Sequence, residues 1–509
     1  MRDPEHVSAR RRRLLPSAVV LLTLVAGGQG LLVAVASAQA IEGWTQFQGD
    51  AGHTGFVDDA AQPPYRAAWH LGVPLGGPNA TFGLSQPIVD GSSIVAVGPD
   101  SIVAADIATG AELWSVDRDY GPSVSPAVAE TSDHRILIYT EGFGEHPPEG
   151  TATPTPEATP SPSSSDAGSD AGLFDSHVSA IDLDTQEPVW DAPAQLDAVS
   201  RTGVTVDGDT AYLGDNTGTV YALDVATGAI RWTADAGGFL TTALAVSDGS
   251  VVATVQGDRA SRSHLIAFDA ADGSESWDDE MSGEALFASA PAILGGSIVV
   301  GFSDRSVRAF DASDGTERWS TRLNRPMFFT GAPAFAPDAV VVADAFGQVY
   351  RLDPDTGERL WDFAINEPVT HSPVVVAGAT VLVATSAGRL AAIDLESGLL
   401  VWQAEEGNGP LRSLALTSDI VVGVRGGLDP GLVGFSHDPE GALVSLVSPT
   451  ELNLPKLLGN FLAAAVPLAL LLFLAGRWLK PRMGPAFLDD DEDDADLVPV
   501  DEGIEGVES

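Results

Sequence analysis

One phrase returns again and again along the chain, and it limits the possible folds more than any other feature. Residues 220–232 read Val-Tyr-Ala-Leu-Asp-Val-Ala-Thr-Gly-Ala-Ile-Arg-Trp, and residues 307–319 read Val-Arg-Ala-Phe-Asp-Ala-Ser-Asp-Gly-Thr-Glu-Arg-Trp. The same frame places Asp106 with Gly110 and Trp114, Asp269 with Gly273 and Trp277, Asp353 with Gly357 and Trp361, and Asp394 with Gly398 and Trp402. From Trp190 the tryptophans advance to Trp232, Trp277, Trp319, Trp361 and Trp402, in steps of 42, 45, 42, 42 and 41. A period near forty means that each unit is one supersecondary element whose apolar face is buried only by its neighbours.

Within a unit, the short β-branched runs Ile298 to Val300 and Val340 to Val342 have the character of inner strands. The Val-x-Ala-x-Asp run makes the next strand, with side chains alternating between faces. The aspartate then accepts hydrogen bonds from amides two or three residues on, and glycine supplies the left-handed conformation that closes the hairpin. A last short strand ends in tryptophan, large enough to fill the gap between neighbouring units while its indole N–H seeks an acceptor. With 54 glycines and 34 prolines punctuating the chain, the expected fold is all-β: a β-propeller of four-stranded antiparallel sheets.

Two units break the pattern. The step from Trp114 to Trp190 is 76 residues, because a Pro/Ser/Thr/Asp/Gly-rich insertion occupies about 145–172. That unit keeps Asp182, Thr185 and Trp190 but has Gln186 at the glycine position, so its turn is expected to be strained or built differently. The last unit, around Leu411 to Phe435, lacks its tryptophan, and Trp69 near the N-terminus is the candidate to supply it. Closure of the ring by that N-terminal segment gives eight blades, with seven as the alternative. Specialisation is expected in these two irregular units, since so uniform a signature is structural.

Over about residues 43 to 440 these repeats resemble the pyrroloquinoline-quinone-type (PQQ-like) β-propeller family. The stretch Trp44-Thr45-Gln46-Phe47-Gln48-Gly49-Asp50, with His53, Thr54 and Gly55, is similar to the leading segment of that family. The resemblance implies a ring of blades around a central funnel. In redox members it further implies a quinone held there with a vicinal cysteine pair and a calcium ion. This chain has no cysteine, and no motif matches the calcium ligands residue by residue. The expected site assignment is therefore none for catalytic, cofactor-binding and metal-ligating residues, and PQQ and calcium are not expected as cofactors.

The remaining chemistry is sparse. Asp353-Pro354-Asp355-Thr356-Gly357 has the look of a calcium loop, but its place in the recurring frame assigns it to a turn. His53, His70, His134, His177, His264, His371 and His437 show no metal-ligand spacing. A net charge of −45, with 26 basic residues against 71 acidic ones, argues against nucleic acid as a partner.

Flanking segments set the expected location. Residues 1–40 carry Arg10 to Arg13, an apolar stretch and a closing Ala38-Gln39-Ala40, the pattern of a signal peptide, with an uncleaved anchor as the alternative. Residues 41–450 form the propeller, and 457–476 are an uncharged run long enough to cross a bilayer as a helix. Arg477, Lys480 and Arg482 follow it and mark the cytoplasmic side. Residues 477–509 are an acidic tail expected to be disordered, with Asp494 and Val500 in the wrong places for a calcium-binding loop. The expectation is a propeller tethered to the cell membrane, outside the cytoplasm. It would act as a non-enzymatic scaffold or sensor for an envelope protein, peptide or polymer. The alternative is a membrane-bound quinone-dependent dehydrogenase oxidising an alcohol or sugar.

Overall fold

The computed structural model describes residues 43–73, 83–142, 176–256, 263–280, 287–327, 331–369, 373–405, 409–427 and 429–440. The signal peptide, the body of the low-complexity insertion, the membrane-crossing run and the acidic tail all lie outside the described residues, as does His371. Among the described residues no helix is long and apolar enough to cross a membrane.

The strands form eight sheets, each built on a four-stranded antiparallel meander, with Phe56–Val57 added in parallel to the innermost strand of blade 7. Blade 1 is made by Ile88–Asp90, Ser93–Val97, Ser101–Asp106 and Glu112–Asp117, in that order from the axis outward. Blades 2 to 7 repeat the scheme over 127–195, 205–235, 239–280, 292–322, 334–364 and 375–405. Blade 8 takes its three inner strands, Leu411–Leu416, Ile420–Arg425 and Gly431–His437, from the end of the chain. Its outer strand is Tyr65–Gly72 from the beginning, paired antiparallel to Gly431–His437. Eight blades closed by the N-terminal segment are therefore correct, and seven is not. Closure across the two ends of the domain leaves no ring edge open to a second chain.

In six of the eight seams between blades a tryptophan is laid over the next blade's turn. Trp232 donates from Nε1 to the carbonyl of Ala270 at 3.0 Å, Trp319 to Pro354 at 2.9 Å and Trp361 to Leu395 at 2.8 Å. Trp69 does the same from blade 8 to Ile107 of blade 1 at 2.9 Å, confirming its role as the missing tryptophan. The acceptor is always the residue after the turn aspartate. Asp353 uses Oδ1 to accept from the amides of Asp355 and Thr356 at 3.1 and 2.8 Å, so the carboxylate of the calcium-like loop closes a turn.

Blade 2 departs from this rule for a visible reason. Gln186 occupies the glycine position with φ of +61°, and its Nε2 donates to the carbonyl of Leu183 at 2.8 Å. Leu183 follows Asp182, so its carbonyl is the acceptor the seam tryptophan uses elsewhere. Among the described residues Trp114 makes no hydrogen bond to it. The turn is built as in other blades, with the strain of a left-handed side-chain residue and a displaced indole partner.

The leading segment 44–57 threads the axis and bonds to blades 1 to 7 in turn. The carbonyls of Trp44 and Thr45 accept from Val89 and Val128 of blades 1 and 2. Gln46 pairs its amide group with both backbone groups of Val206 in blade 3, at 2.7 and 3.1 Å. Ala51, Gly52, Thr54 and Gly55 accept from Val246, Ile293, Phe335 and Val376 of blades 4 to 7. Gln86 links the segment to blade 8, accepting from Gln48 N and donating to the carbonyl of Leu414 at 2.9 Å. These innermost strands have no inward neighbour, so the plug satisfies backbone groups that would otherwise be buried unpaired.

His53 sits in the plug, fully buried, with Nδ1 3.0 Å from the carbonyl of Pro291. Burial holds its pKa down to about 4. It stays neutral in the fold while the unfolded chain protonates it near 6.5, so its contribution is present above that value and is lost as pH falls toward 4. Between pH 7 and pH 4 the wild type should lose about 3 kcal/mol more unfolding free energy than His53→Asn, read by chemical denaturation at each pH. Equal losses in the two proteins would refute this account.

The seam makes a matched pair of glycine substitutions informative. Gly273 and Gly208 both have positive φ, +73° and +60°, but a Cβ on Gly273 would lie 2.5 Å from the Trp232 ring whereas one on Gly208 meets nothing within 4 Å. Gly273→Ala should cost about 1–3 kcal/mol more than Gly208→Ala, the difference isolating the tryptophan contact from backbone strain.

Candidate binding funnel

Antiparallel meanders put the signature turns on one face of the ring. On the other face lie the connections that enter each innermost strand. These connections converge around the axis and leave a cavity of about 230 Å³. Its walls include Ser85 and Gln86 before blade 1, Ser123 to Ser125 before blade 2, Arg201 and Thr202 before blade 3, Thr241 to Ala243 in blade 4, and Arg412 with Ser413 in blade 8. Phe47 of the plug also lines it, packed edge-on against His53 at 5.0 Å between ring centres. The funnel is thus open on one face and stoppered from the other.

Many of the hydroxyls are structural brackets. Ser85 Oγ accepts from Val97 N at 3.0 Å, Thr202 Oγ1 from Gly214 N at 2.9 Å and Ser289 Oγ from Gly301 N at 3.0 Å, the same bond at equivalent places in three blades. Arg412 is different. The innermost strand of blade 8 carries a bulge between Arg412 and Leu414, and Ser413 within it has φ of +34°. A bulge re-aims the side chains around it, and here Arg412 and Ser413 both line the cavity. Partial burial lowers the Arg412 pKa, and no carboxylate opposes that shift.

The electrostatics invert the character of the molecule. The chain is strongly acidic, yet among the described residues lining the funnel there are two arginines and no aspartate or glutamate. A guanidinium in a partly desolvated recess without a counter-charge favours an anionic ligand. The same walls do not fit a calcium–quinone group. Calcium takes six to eight oxygen ligands, carboxylates prominent among them, and the described lining offers Gln86 and hydroxyls but no carboxylate.

Most histidines have local partners. His70 lies 3.6 Å from Asp429, His134 2.6 Å from Asp182 and His264 2.6 Å from Asp278, and His437 Nδ1 is 2.7 Å from the carbonyl of Gln62. His177 is the one the sequence spacing failed to place. It meets Glu141 at 2.9 Å, and together with Asp119 they form a set with one potential ligand atom each, all within 4.8 Å of one another. Arg412 was equally invisible in sequence, because its aim depends on a bulge.

Comparison with known proteins places this geometry. Residues 175–328 and 303–446, together more than half of the chain, match the model of the PQQ-type repeat family described as outer membrane protein assembly factor BamB. No curated protein matches by sequence. Among solved structures, BamB from Moraxella catarrhalis is similar with 15% identity over 73% of this chain and 100% of its own, at a TM-score of 0.54. A europium-containing methanol dehydrogenase gives 12% identity over 77% and 98%, with a TM-score of 0.56. Quinohemoprotein alcohol dehydrogenase ADHIIG from Pseudomonas putida gives 12% over 80% and 82%, with a TM-score of 0.54. At such identities the likeness establishes the fold alone. On the family match, this chain belongs to the PQQ-type β-propeller family described as outer membrane protein assembly factor BamB.

Proposed function

We propose that the protein is a non-enzymatic binding module of the cell envelope, which docks an anionic segment of a partner protein into the funnel. The observation that carries this reading is Arg412 in a recess whose described lining holds no acid, in a chain with net charge −45. The funnel sits on the face where connections differ from blade to blade, which is where a rigid scaffold places its recognition surface. Membership of a family described as an assembly factor supports a protein partner.

The proposed setting is the outer side of the cell membrane, with residues 457–476 as the tether and 477–509 as a cytoplasmic tail. The dehydrogenase reading has support from the two alcohol-oxidising structural neighbours. It is weakened by the funnel lining, which lacks carboxylates for calcium, and by the absence of any cysteine pair in the chain.

The test is crosslinking and co-purification of the full-length protein from native membranes, with wild type and Arg412→Glu compared side by side. Wild type should recover a partner whose capture weakens with added salt. Charge reversal should reduce recovery tenfold or more, equivalent to about 1.4 kcal/mol or above. Recovery of the protein alone, or equal capture by both forms, would sink the proposal. Stoichiometric quinone uptake with calcium, accompanied by dye reduction, would decide for the dehydrogenase.

A further inference from the structure

The blade that departs from the signature also gathers a group of donors used by no turn, seam or funnel wall. Glu141 ends the second strand of blade 2, Arg135–Glu141, and His177 begins the third, His177–Asp182. The two are register partners across the ladder, so their side chains share one side of the sheet. His177 Nε2 lies 2.9 Å from Glu141 Oε2. Asp119, in the connection that enters the same blade, brings a third donor within 4.8 Å of both. Glu141 and His177 are buried and Asp119 is exposed, which leaves one side open to solvent.

The surroundings are built as ligand support. Tyr139, two residues before Glu141 on the same strand, is buried at 6% exposure and lies on the same face. Arg118 is 8% exposed and is fixed by two backbone carbonyls, Nε to Asp119 and Nη2 to Pro122, each at 3.2 Å. Its Nη1 is buried with no acceptor. A Cβ built on Gly121 would meet Arg118 Nη2 at 2.5 Å and Gly142 N at 3.1 Å, which seats the guanidinium beside the end of the strand that carries Glu141. A desolvated guanidinium N–H at the edge of this cluster lacks a partner that a water or small anion on a bound cation would supply.

We propose that Asp119, Glu141 and His177 form a binding site for a zinc-class dication, with an open coordination position facing Arg118 Nη1. One imidazole with two carboxylates is a borderline donor set that suits zinc or its late-transition neighbours, whereas calcium and magnesium favour all-oxygen shells. Three protein ligands and an open fourth position is the arrangement of a tetrahedral zinc site. Bonds of about 2.0–2.1 Å place tetrahedral ligand atoms about 3.3 Å apart. The His177–Glu141 contact need open only slightly, and the exposed Asp119 side chain closes the remaining gap. Nε2 binds through its lone pair, and Nδ1 then carries the ring proton. The three ligands and Arg118 together carry −1, so a dication leaves the group at +1, and one hydroxide or small anion at the open position brings it to neutrality.

The experiment uses the tag-free full-length protein in detergent, stripped with chelator, and titrates zinc alone by calorimetry and cobalt alone by visible absorption. One equivalent should bind, with the d–d spectrum of a low-coordinate nitrogen–oxygen site. His177→Ala and Asp119→Asn should each weaken binding at least about 10-fold, while His264→Ala, which changes a histidine paired with Asp278, should leave it intact. Asp119 is exposed, so its variant reports even if His177→Ala folds poorly. Absence of a one-equivalent site, or binding indifferent to both substitutions, would overturn the proposal.

Discussion

The fold depends on a steric coincidence repeated around the ring: a tryptophan face lying where a side chain would stand if the turn residue were anything but glycine. In blades 4 to 7 a Cβ on Gly273, Gly315, Gly357 or Gly398 would sit 2.5 to 2.6 Å from a ring atom of the preceding blade's tryptophan. Positive φ and absence of a side chain are thus demanded by one contact at once. The indole N–H then finds a carbonyl one residue past the aspartate, so a single side chain supplies apolar area, spacing and a directional bond. Blade spacing is fixed locally by six such contacts, and the pairing of Tyr65–Gly72 with Gly431–His437 closes the ring.

The plug complements this from the inside. Propeller blades twist, and their innermost strands expose backbone groups toward a narrow axis where water is scarce. The segment 44–57 meets these groups with carbonyls and with the amide of Gln46, and Gln86 carries the contact on to blade 8. The asymmetry of the funnel follows, because the same segment closes one end and leaves the other open. A binding surface therefore exists on only one face.

The architecture was legible in sequence because each blade repeats the same local solution, and local solutions leave local patterns. Trp69 was readable as the missing eighth tryptophan for that reason. Gln186 was visible as an irregular turn, but its capture of the Leu183 carbonyl was not, since that depends on where a flexible amide points. Arg412 gave no signal because a bulge one residue long decides which side of the strand it faces. Glu141 and His177 stand 36 positions apart in sequence and are direct cross-strand neighbours in space. The insertion between them hid a spacing that a two-strand hairpin would have displayed.

Both groups that resist a structural explanation fall in the two irregular blades. In blades that keep the signature, polar side chains are consumed by turns, brackets and seams, and little remains for binding. Blade 8 is assembled from both ends of the chain and carries a strained bulge. Blade 2 accepts a left-handed glutamine, gives up a tryptophan hydrogen bond and splits its central hairpin with an insertion. Departures of this kind cost stability, and sequences that are otherwise locally consistent keep them where a site requires them. The ring supplies rigidity through six regular turn-and-tryptophan seams, and that reserve permits two blades to hold an arginine with no acid in the described lining around it and a cluster of potential ligands.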